Sequence, residues 1–508
     1  MKNSAKKQSA IKKIGKLIPD PVIIFIFLYA ILLIVSLIFG GREFTVSSYS
    51  GDSVYRFRYM FTAENIRWIF SNAILNNWLA YGNGILGTIL VVMLGIGVAE
   101  ESGLLSALIR KMGASVSKRL LPYMLVFIGV MTNIAADVGY LVLIPLAGML
   151  YASIGKNPLV GMAASFAGVS AGFSANLIPA NFADVVIGIN AKTFADSQGI
   201  PFISYLGKPL NAATMNYYFF AASSILLIIV GGLITTRITE RKYPSISITN
   251  TYTPENMELT KKESSALKWA LVGFLISIVI IILLAVFPLA PYTDANGNTI
   301  TPYIDNIILL VTFSLFLSGV FYGFASKKFN SSSDVVSAMA KQMGSMGYVI
   351  VLTFFCYNFL SLLSYTNADI FITGAGVSFI QKTGLSHSPI LLIIGVILIT
   401  SIINLFVGGM TAKWMLLGPI FIPMLYSANN SVTPEVVSAA YRLADSCTNT
   451  ITPLMTYAGV ILMYMRRYKK DFTIGNLISM MAPYSAIFLV SWSSLLLLFI
   501  GLKIPLGF

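Results

Sequence analysis

The sequence DSCTNTITP, residues 445–453, interrupts a long apolar stretch in the second half of the chain. GVSAGFSANLIP, residues 168–179, interrupts another in the first half. In both stretches small polar residues lead to an asparagine, and a proline follows it three or four residues later. We therefore expect two broken membrane helices at corresponding places of two related halves.

The composition requires a lipid environment. Of 508 residues, 56% are hydrophobic and only 11% are charged, and the mean hydropathy is +0.80. A soluble domain needs about 25% charged residues, whereas apolar runs long enough for a membrane helix of about 20 residues recur along this whole chain. The composition predicts an all-α polytopic protein of the cytoplasmic membrane.

The net charge of +14 is a topology signal and does not indicate nucleic-acid binding. Basic residues flank the apolar runs, as in cytosolic loops that obey the positive-inside rule. The clusters lie in the first 16 residues and at 110–119, 237–242, 327–328 and 466–470. With these loops inside, the N-terminus is cytosolic and the C-terminus is outside.

Residues 21–40 are too long and uncharged for a signal-peptide core, so they form the first span. Cys356 and Cys447 have no CxxC partner, and His387 is the only histidine. We therefore expect no disulfide framework, metal site or cofactor.

The pattern of uncharged runs predicts nine transmembrane helices and two re-entrant helical hairpins. The hairpins occupy residues 120–155 and 389–426, where two short apolar pieces meet at a Gly-containing junction with a charge. The predicted spans are residues 21–40, 84–99, 159–181, 214–236, 269–290, 304–325, 344–365, 438–465 and 475–501.

The two halves match in order and spacing. Pro145 and Asn176 are 31 residues apart, and Pro419 and Asn449 are 30 residues apart. Because the two units start on opposite sides, we expect an inverted structural repeat with hairpins from opposite faces. The chain then divides into a cytosolic basic N-terminus (1–20), a first span and outer segment (21–82), repeat one (83–236), a linker with scaffold spans (237–343) and inverted repeat two (344–508).

A helix broken inside the membrane can bind ions of either sign. It exposes N–H groups at one half-helix end and C=O groups at the other, which suit an anionic substrate and a cation. Such paired breaks are the best sequence indicator of a transporter's binding site. We expect Ser174, Asn176, Thr448 and Asn449 to be helix-break ligands, with Asn176 and Asn449 close together.

Charged residues inside spans are functional candidates. Arg442 and Asp445 lie three residues apart on one helix face. Either they neutralise each other, or Arg442 binds a substrate carboxylate and Asp445 orients it or carries a proton. Asp184 is a candidate site residue or a solvated residue at the end of span three.

Three further residues stay ambiguous. Asp137 and Lys413 occupy matching hairpin positions, where a structural role, snorkelling by Lys413 or substrate contact are all open. Trp414 beside the second hairpin tip provides either packing or an aromatic platform.

The motifs resemble the p-aminobenzoyl-glutamate transporter (AbgT) family from about residue 20 to 500. The most specific ones are NLF (404–406), AKW (412–414), YRLADS (441–446) and ITPLM (451–455). The resemblance implies a homodimer that transports aminobenzoyl-glutamate, in either direction, or exports sulfonamide-like drugs. It also implies transport roles for Asp184, Asn404, Trp414, Pro434, Arg442, Asp445 and Pro453. Thr411 stands where the family usually has Ser, so its hydroxyl is kept as a substrate-site candidate.

The sequence therefore predicts a secondary transporter, coupled to H⁺ or Na⁺, for a small aromatic or dicarboxylate anion. The alternatives are a drug efflux pump of the same fold, a channel and a membrane-embedded enzyme. An enzyme of that kind needs clustered His, Asp or Glu at a membrane face, and a single histidine argues against it. The expected partners are the lipid bilayer, a small anionic substrate and a second copy of the chain, with no nucleic acid.

Overall fold

The computed structural model describes residues 20–48, 51–81, 85–114, 117–135, 139–244, 259–293, 299–405, 409–452 and 457–508. Asp137, Pro453 and the basic residues before Asp20 lie outside these ranges, so their predicted roles stay predictions.

The described part of the chain is mainly helical. In the first half, the elements are α1 (Pro21–Phe39), β1 (Glu43–Ser48), β2 (Gly51–Arg56), α2 (Ala63–Asn72), α3 (Ile85–Glu101), α4 (Leu104–Ala114), α5 (Leu121–Met131), α6 (Ile144–Ser153), α7 (Pro158–Phe166), α8 (Phe182–Ser197) and α9 (Tyr217–Lys242). Turns with π-helical hydrogen bonding lie at Leu75–Leu79, Gly139–Leu143, Ala167–Ala171 and, inside α9, Thr235–Thr239. Thr132–Ala135 is a 3₁₀ turn.

The second half continues in the same manner. Its elements are α10 (Lys261–Val286), β3 (Tyr292–Thr293), β4 (Thr299–Ile300), α11 (Pro302–Asp305), α12 (Ile307–Ala325), α13 (Ser332–Ser345), α14 (Gly347–Tyr365), α15 (Ala368–Lys382), α16 (Pro389–Asn404), α17 (Met410–Ala428), α18 (Pro434–Asn449), α19 (Ala458–Tyr468) and α20 (Ile474–Gly501). A 3₁₀ turn at Leu385–His387 precedes α16.

Six helices in the described ranges are long and apolar enough to cross a bilayer: α1, α9, α10, α12, α14 and α20. They coincide with six of the nine predicted spans. The predicted span 84–99 corresponds to α3, which meets α4 at a bend of 60°. The predicted span 438–465 is divided between α18 and α19, as the interrupted sequence led us to expect. The predicted span 159–181 contains only α7 and its π-turn; the break follows, and α8 begins at Phe182, beyond the predicted end.

Two β-hairpins depart from the all-α expectation. β1 and β2 pair antiparallel, from Glu43 opposite Arg56 to Ser48 opposite Gly51, and the shorter β3 and β4 pair in the same way. Thr, Val, Tyr and Phe in these segments favour extended backbone. Both hairpins lie in connections between spans, where charge patterns alone do not reveal strands.

The scaffold helices and the central helices differ in exposure. Phe27 on α1 and Ile282 on α10 are more than half exposed, as expected for side chains that face lipid. In α18, by contrast, every residue from Pro434 to Thr448 is buried. A helix buried on all sides lies in the protein core, so any charge on α18 must find a partner there.

The first predicted hairpin packs directly on the first broken helix. A Cβ atom on Gly129 of α5 would lie 2.7 Å from Gly168 Cα, and one on Gly168 would overlap the Val126 carbonyl oxygen. Small residues let helix backbones approach this closely in membranes. The glycine contact therefore fixes the position of the break that follows Gly168.

Candidate functional site

The first break places Asp184 inside the protein. α7 continues through the π-turn Ala167–Ala171, the helix then stops, and α8 begins at Phe182. The Asn181 side chain accepts the Asp184 N–H at 2.8 Å, and Asp184 Oδ2 accepts the Asn181 N–H at 3.2 Å. This capping box holds the carboxylate at the positive end of α8.

The second break brings two helix C-termini together. α16 ends at Asn404 and α18 ends at Asn449. The Asn404 amide nitrogen donates to the Asp445 carbonyl oxygen at 2.7 Å, to Thr448 Oγ1 at 2.7 Å and to Asn449 Oδ1 at 2.9 Å. The negative ends of both helix dipoles therefore converge near this amide.

Arg442 pairs with Asp184 across the two halves. One guanidinium nitrogen lies 2.7 Å from Asp184 Oδ1 and donates to the Ser174 carbonyl oxygen at 3.3 Å. The guanidinium carbon also lies 3.9 Å from the centre of the Phe220 ring, a cation–π contact. Asp184 is 7% exposed, so the alternative that it is solvated is wrong.

Asp445 pairs with Lys413. Lys413 Nζ lies 2.5 Å from Asp445 Oδ1, and both side chains are fully buried. The same ammonium donates to Asn404 Oδ1. Snorkelling by Lys413 is therefore wrong. Mutual pairing of Arg442 with Asp445 is wrong as well, because each has a closer counter-ion on another segment.

The two breaks touch each other. Ser446 Oγ donates to Ser174 Oγ at 2.8 Å and accepts the Ser174 N–H at 3.1 Å. The two asparagines play equivalent parts: Asn176 donates to Asp184 Oδ2 at 3.1 Å and Asn449 to Asp445 Oδ2 at 3.2 Å. Each asparagine thus serves the carboxylate of one ion pair, and its role as an ion or substrate ligand stays a prediction.

The structure brings most of the predicted site residues into one buried network, which consists of two hydrogen-bonded groups, one around each ion pair, joined through α18. Its members from the sequence analysis are Ser174, Asn176, Asp184, Asn404, Arg442, Asp445, Thr448 and Asn449. Thr411 is half-buried at the start of α17, two residues from Lys413, and the described contacts do not join it to the network. Pro434 is the first residue of α18.

Sequence reasoning missed Glu435. Its side chain is 1% exposed, Oε1 accepts the Tyr205 N–H at 2.7 Å, and Oε2 has no hydrogen-bond partner in the described ranges. An acidic residue directly after Pro434 reads as an ordinary helix start, so only the tertiary contact with the loop before α9 reveals that it is buried.

Trp414 is a packing residue. It is fully buried, its ring lies 4.8 Å from that of Tyr441 and 6.2 Å from that of Phe194, and its indole N–H donates to the Ile187 carbonyl oxygen at 3.1 Å. The ring therefore ties α17 to α8 and α18 beside both ion pairs.

We expect Trp414→Phe to lower the free energy of unfolding by about 1–3 kcal/mol, because the indole hydrogen bond and part of the ring are lost. Substrate KM should stay within about twofold, because Phe retains the packing that positions the site. Thermal melting and transport of the purified variant measure both quantities. Trp269→Phe, at a half-exposed position on α10, is the matched control and should melt like the wild type. A large KM increase without destabilisation would instead show direct substrate contact.

An open cavity of about 490 Å³ lies near this network. Phe194 and Pro419 are among its lining residues, and Phe194 also contacts Trp414. Elsewhere in the lining, the Arg58 guanidinium lies 3.9 Å from the centre of the Tyr365 ring, which stacks on Trp68. The cavity lining therefore combines stacked aromatic rings with a cation, Arg58, and a carboxylate, Asp369.

Comparisons with known proteins agree on one family. Over 507 residues, the chain is 29% identical to the p-aminobenzoyl-glutamate transport protein of Escherichia coli (strain K12), covering 99% of this chain and 96% of that protein. The Alcanivorax borkumensis YdaH transporter superposes with a TM-score of 0.86 at 32% identity, covering 96% of this chain and 100% of that one.

Neisseria gonorrhoeae MtrF, described as illuminating a class of antimetabolite efflux pumps, superposes with a TM-score of 0.84 at 33% identity, with 96% of each chain covered. The sequence model of the AbgT putative transporter family matches residues 7–508. Together with the apolar spans, these matches identify a multi-pass membrane protein. The chain belongs to the AbgT putative transporter family.

Proposed function

We propose that this chain is an ion-coupled secondary transporter that carries p-aminobenzoyl-glutamate, or a related aromatic or dicarboxylate anion, across the cytoplasmic membrane. The observation that carries the proposal is the buried Arg442 at the contact of two helix breaks, 2.7 Å from the Asp184 carboxylate. A guanidinium fork binds carboxylates with paired hydrogen bonds. Arg442 Nε has no hydrogen-bond partner in the described part of the chain and is available for a second acceptor.

In this proposal, Asp184 occupies the position on the Arg442 guanidinium that the substrate carboxylate takes when substrate is bound. An anion that enters the site replaces Asp184 on the guanidinium, so that the buried cation is never without a counter-ion. Asp184 must then be neutralised or find another donor, and Asn176 and Asn181 already donate to its Oδ2. Exchange of one carboxylate for another avoids the several kcal/mol that an unpaired buried charge costs.

The cavity beside Phe194 is the proposed route to this site. Arg58 in the cavity wall attracts an anion, and the stack of Arg58, Tyr365 and Trp68 gives this wall an aromatic character that suits an aminobenzoyl ring. Phe194 in the cavity wall contacts Trp414, which directly follows Lys413 of the second ion pair. Because both ion pairs are buried, this conformation is closed around the site, and transport requires the Trp414–Phe194 contact to open.

Counterflow in proteoliposomes tests the proposal. Vesicles that contain the purified protein and unlabelled p-aminobenzoyl-glutamate should accumulate the labelled compound transiently and saturably. An imposed H⁺ or Na⁺ gradient should then drive net movement, which identifies the coupling ion. Vesicles with Arg442→Lys protein are the control and should resemble protein-free vesicles. Wild-type vesicles without saturable counterflow of this compound or a related anion would refute the proposal.

Drug efflux is the second candidate function, favoured by the similarity to MtrF. Sulfonamides share the aminobenzene ring of p-aminobenzoyl-glutamate and suit the same aromatic cavity wall. If the protein carries such drugs, vesicles loaded with unlabelled sulfonamide should transiently accumulate labelled sulfonamide in the counterflow assay. Competition between the two compounds would place both at one site.

We further propose the full topology of nine spans and two re-entrant hairpins, with the N-terminus in the cytosol and the C-terminus outside. The hairpin helices support it: α5 has 11 residues and α16 has 16, or about 16 and 24 Å at the α-helical rise. Both are shorter than the ~30 Å hydrocarbon layer. The contact between the two breaks supports the inverted repeat, and the five-part division of the chain follows from it.

Cysteine labelling tests the inversion. In a background without Cys356 and Cys447, both buried, we expect Ser117→Cys and Ser153→Cys to react only from the cytosolic side. His387→Cys and Asn430→Cys should react only from outside. All four positions are exposed, so reactivity reports sidedness. Labelling of both pairs from one side would disprove the inversion.

We also propose the homodimer that the family resemblance implies. Light scattering of the detergent-solubilised protein should give a protein mass of two 55.2 kDa chains.

A further inference from the structure

The ammonium group of Lys413 occupies a cavity built from oxygen ligands. Asp445 Oδ1 lies 2.5 Å from Nζ, and Asn404 Oδ1 accepts a hydrogen bond from it. Thr448 Oγ1 and Asn449 Oδ1 lie in the next layer, each bonded to the Asn404 amide. Carboxylate, amide and hydroxyl oxygens are the ligands that hard metal cations take.

The surroundings stabilise a cation more strongly than one carboxylate alone does. The C-terminal ends of α16 and α18 both lie here, at Asn404 and Asn449, and helix C-termini carry partial negative charge. Lys413 itself lies in the first turn of α17, where its own helix dipole disfavours a positive charge. The Lys413 ammonium is therefore held in this position by Asp445 and by the C-terminal ends of α16 and α18.

We propose that this cavity is a monovalent-cation site whose resident cation is the Lys413 ammonium. The side chain excludes free Na⁺ from the wild-type protein, and its removal leaves a vacant, negatively charged site that binds Na⁺. The site and its occupant are inferred from these contacts alone. One consequence rests on the proposed transport function. Because Lys413 excludes Na⁺ from the site at Asp445, the coupling ion that this site can accept is a proton.

Thermal stability of the purified protein tests the proposal without any transport measurement. Melting is compared in NaCl and in N-methyl-D-glucamine chloride at equal ionic strength. The wild type should melt equally in both. Lys413→Ala should melt higher in NaCl, with a saturating Na⁺ dependence, because a ligand that binds only the folded state stabilises it. Lys413→Ser, which adds a hydroxyl oxygen, should show the same dependence with tighter binding.

Two controls make the result specific. Lys413→Met fills the cavity without a charge and should gain no Na⁺ dependence. Adding Asp445→Asn to Lys413→Ala removes the site's charge and should abolish the dependence. The proposal is overturned if Lys413→Ala melts alike in both salts, if the wild type is itself stabilised by Na⁺ through Asp445, or if neither short variant folds even in Na⁺-rich buffer. Failure of counterflow in the wild type would refute the transport function and leave this result unaffected.

Discussion

Arg442→Ala should abolish transport and also destabilise the protein, because it leaves Asp184 as an unpaired buried carboxylate. Removing one partner of such a pair costs about 3–5 kcal/mol of folding free energy. Substrate binding should lose about 2–5 kcal/mol, which is roughly 30-fold or more in affinity. Arg442→Lys should recover stability in part but little transport, because a point charge does not reproduce the fork.

The double variant Arg442→Ala, Asp184→Asn separates the two effects. The asparagine that replaces Asp184 retains an oxygen for the Asn181 cap and removes the unpaired charge, so melting should return towards the wild-type value. Counterflow should stay absent if Arg442 binds the substrate. Recovered counterflow in the double variant would show that Arg442 is purely structural. From the sequence alone, Asp445 is the residue to remove together with Arg442. The 2.7 Å contact between Arg442 and Asp184 identifies Asp184 instead.

Gly168→Ala should prevent the first half from packing. The added Cβ would overlap the Val126 carbonyl oxygen and lie 2.9 Å from Gly129 Cα, and both are backbone atoms that cannot rotate away. We expect a loss of about 3 kcal/mol, the upper part of the usual range for overpacking, together with displacement of the break that carries Asn176. Monodispersity and melting of the purified variant measure this.

Gly395→Ala is the matched control on α16, since a Cβ there meets nothing within 4 Å. Alanine also favours helix over glycine by about 1 kcal/mol. Gly395→Ala should therefore melt at or above the wild-type temperature. If both variants behave alike, the close contact between α5 and the Ala167–Ala171 turn does not determine packing.

The sequence predicts the helices and the breaks well because both depend on local composition. Uncharged runs locate the six full-length spans, and the asparagine–proline stretches locate the two breaks. It also selects Arg442 and Asp445, because a charge inside an apolar run stands out.

The counter-ions could not be assigned in this way. Arg442 and Asp445 are neighbours on one helix, but Asp184 reaches Arg442 from α8 and Lys413 reaches Asp445 from α17. Tertiary packing determines which charged residues meet, and contacts between distant segments leave no local pattern in a single sequence. The β-hairpin at Glu43–Arg56 was missed for a similar reason, because it is a short extended segment within a polar connection.

The pairing of Asp184 with Arg442 has a consequence for how the protein is made. The ribosome completes residue 184 long before residue 442, so the nascent first half enters the membrane with a carboxylate whose counter-ion has not been synthesised. That half on its own should be unstable and a substrate for quality-control proteases. When the chain is divided in the polar stretch near residue 250 and both fragments are co-expressed, each should protect the other from degradation, and Asp184→Asn should extend the lifetime of the first fragment alone.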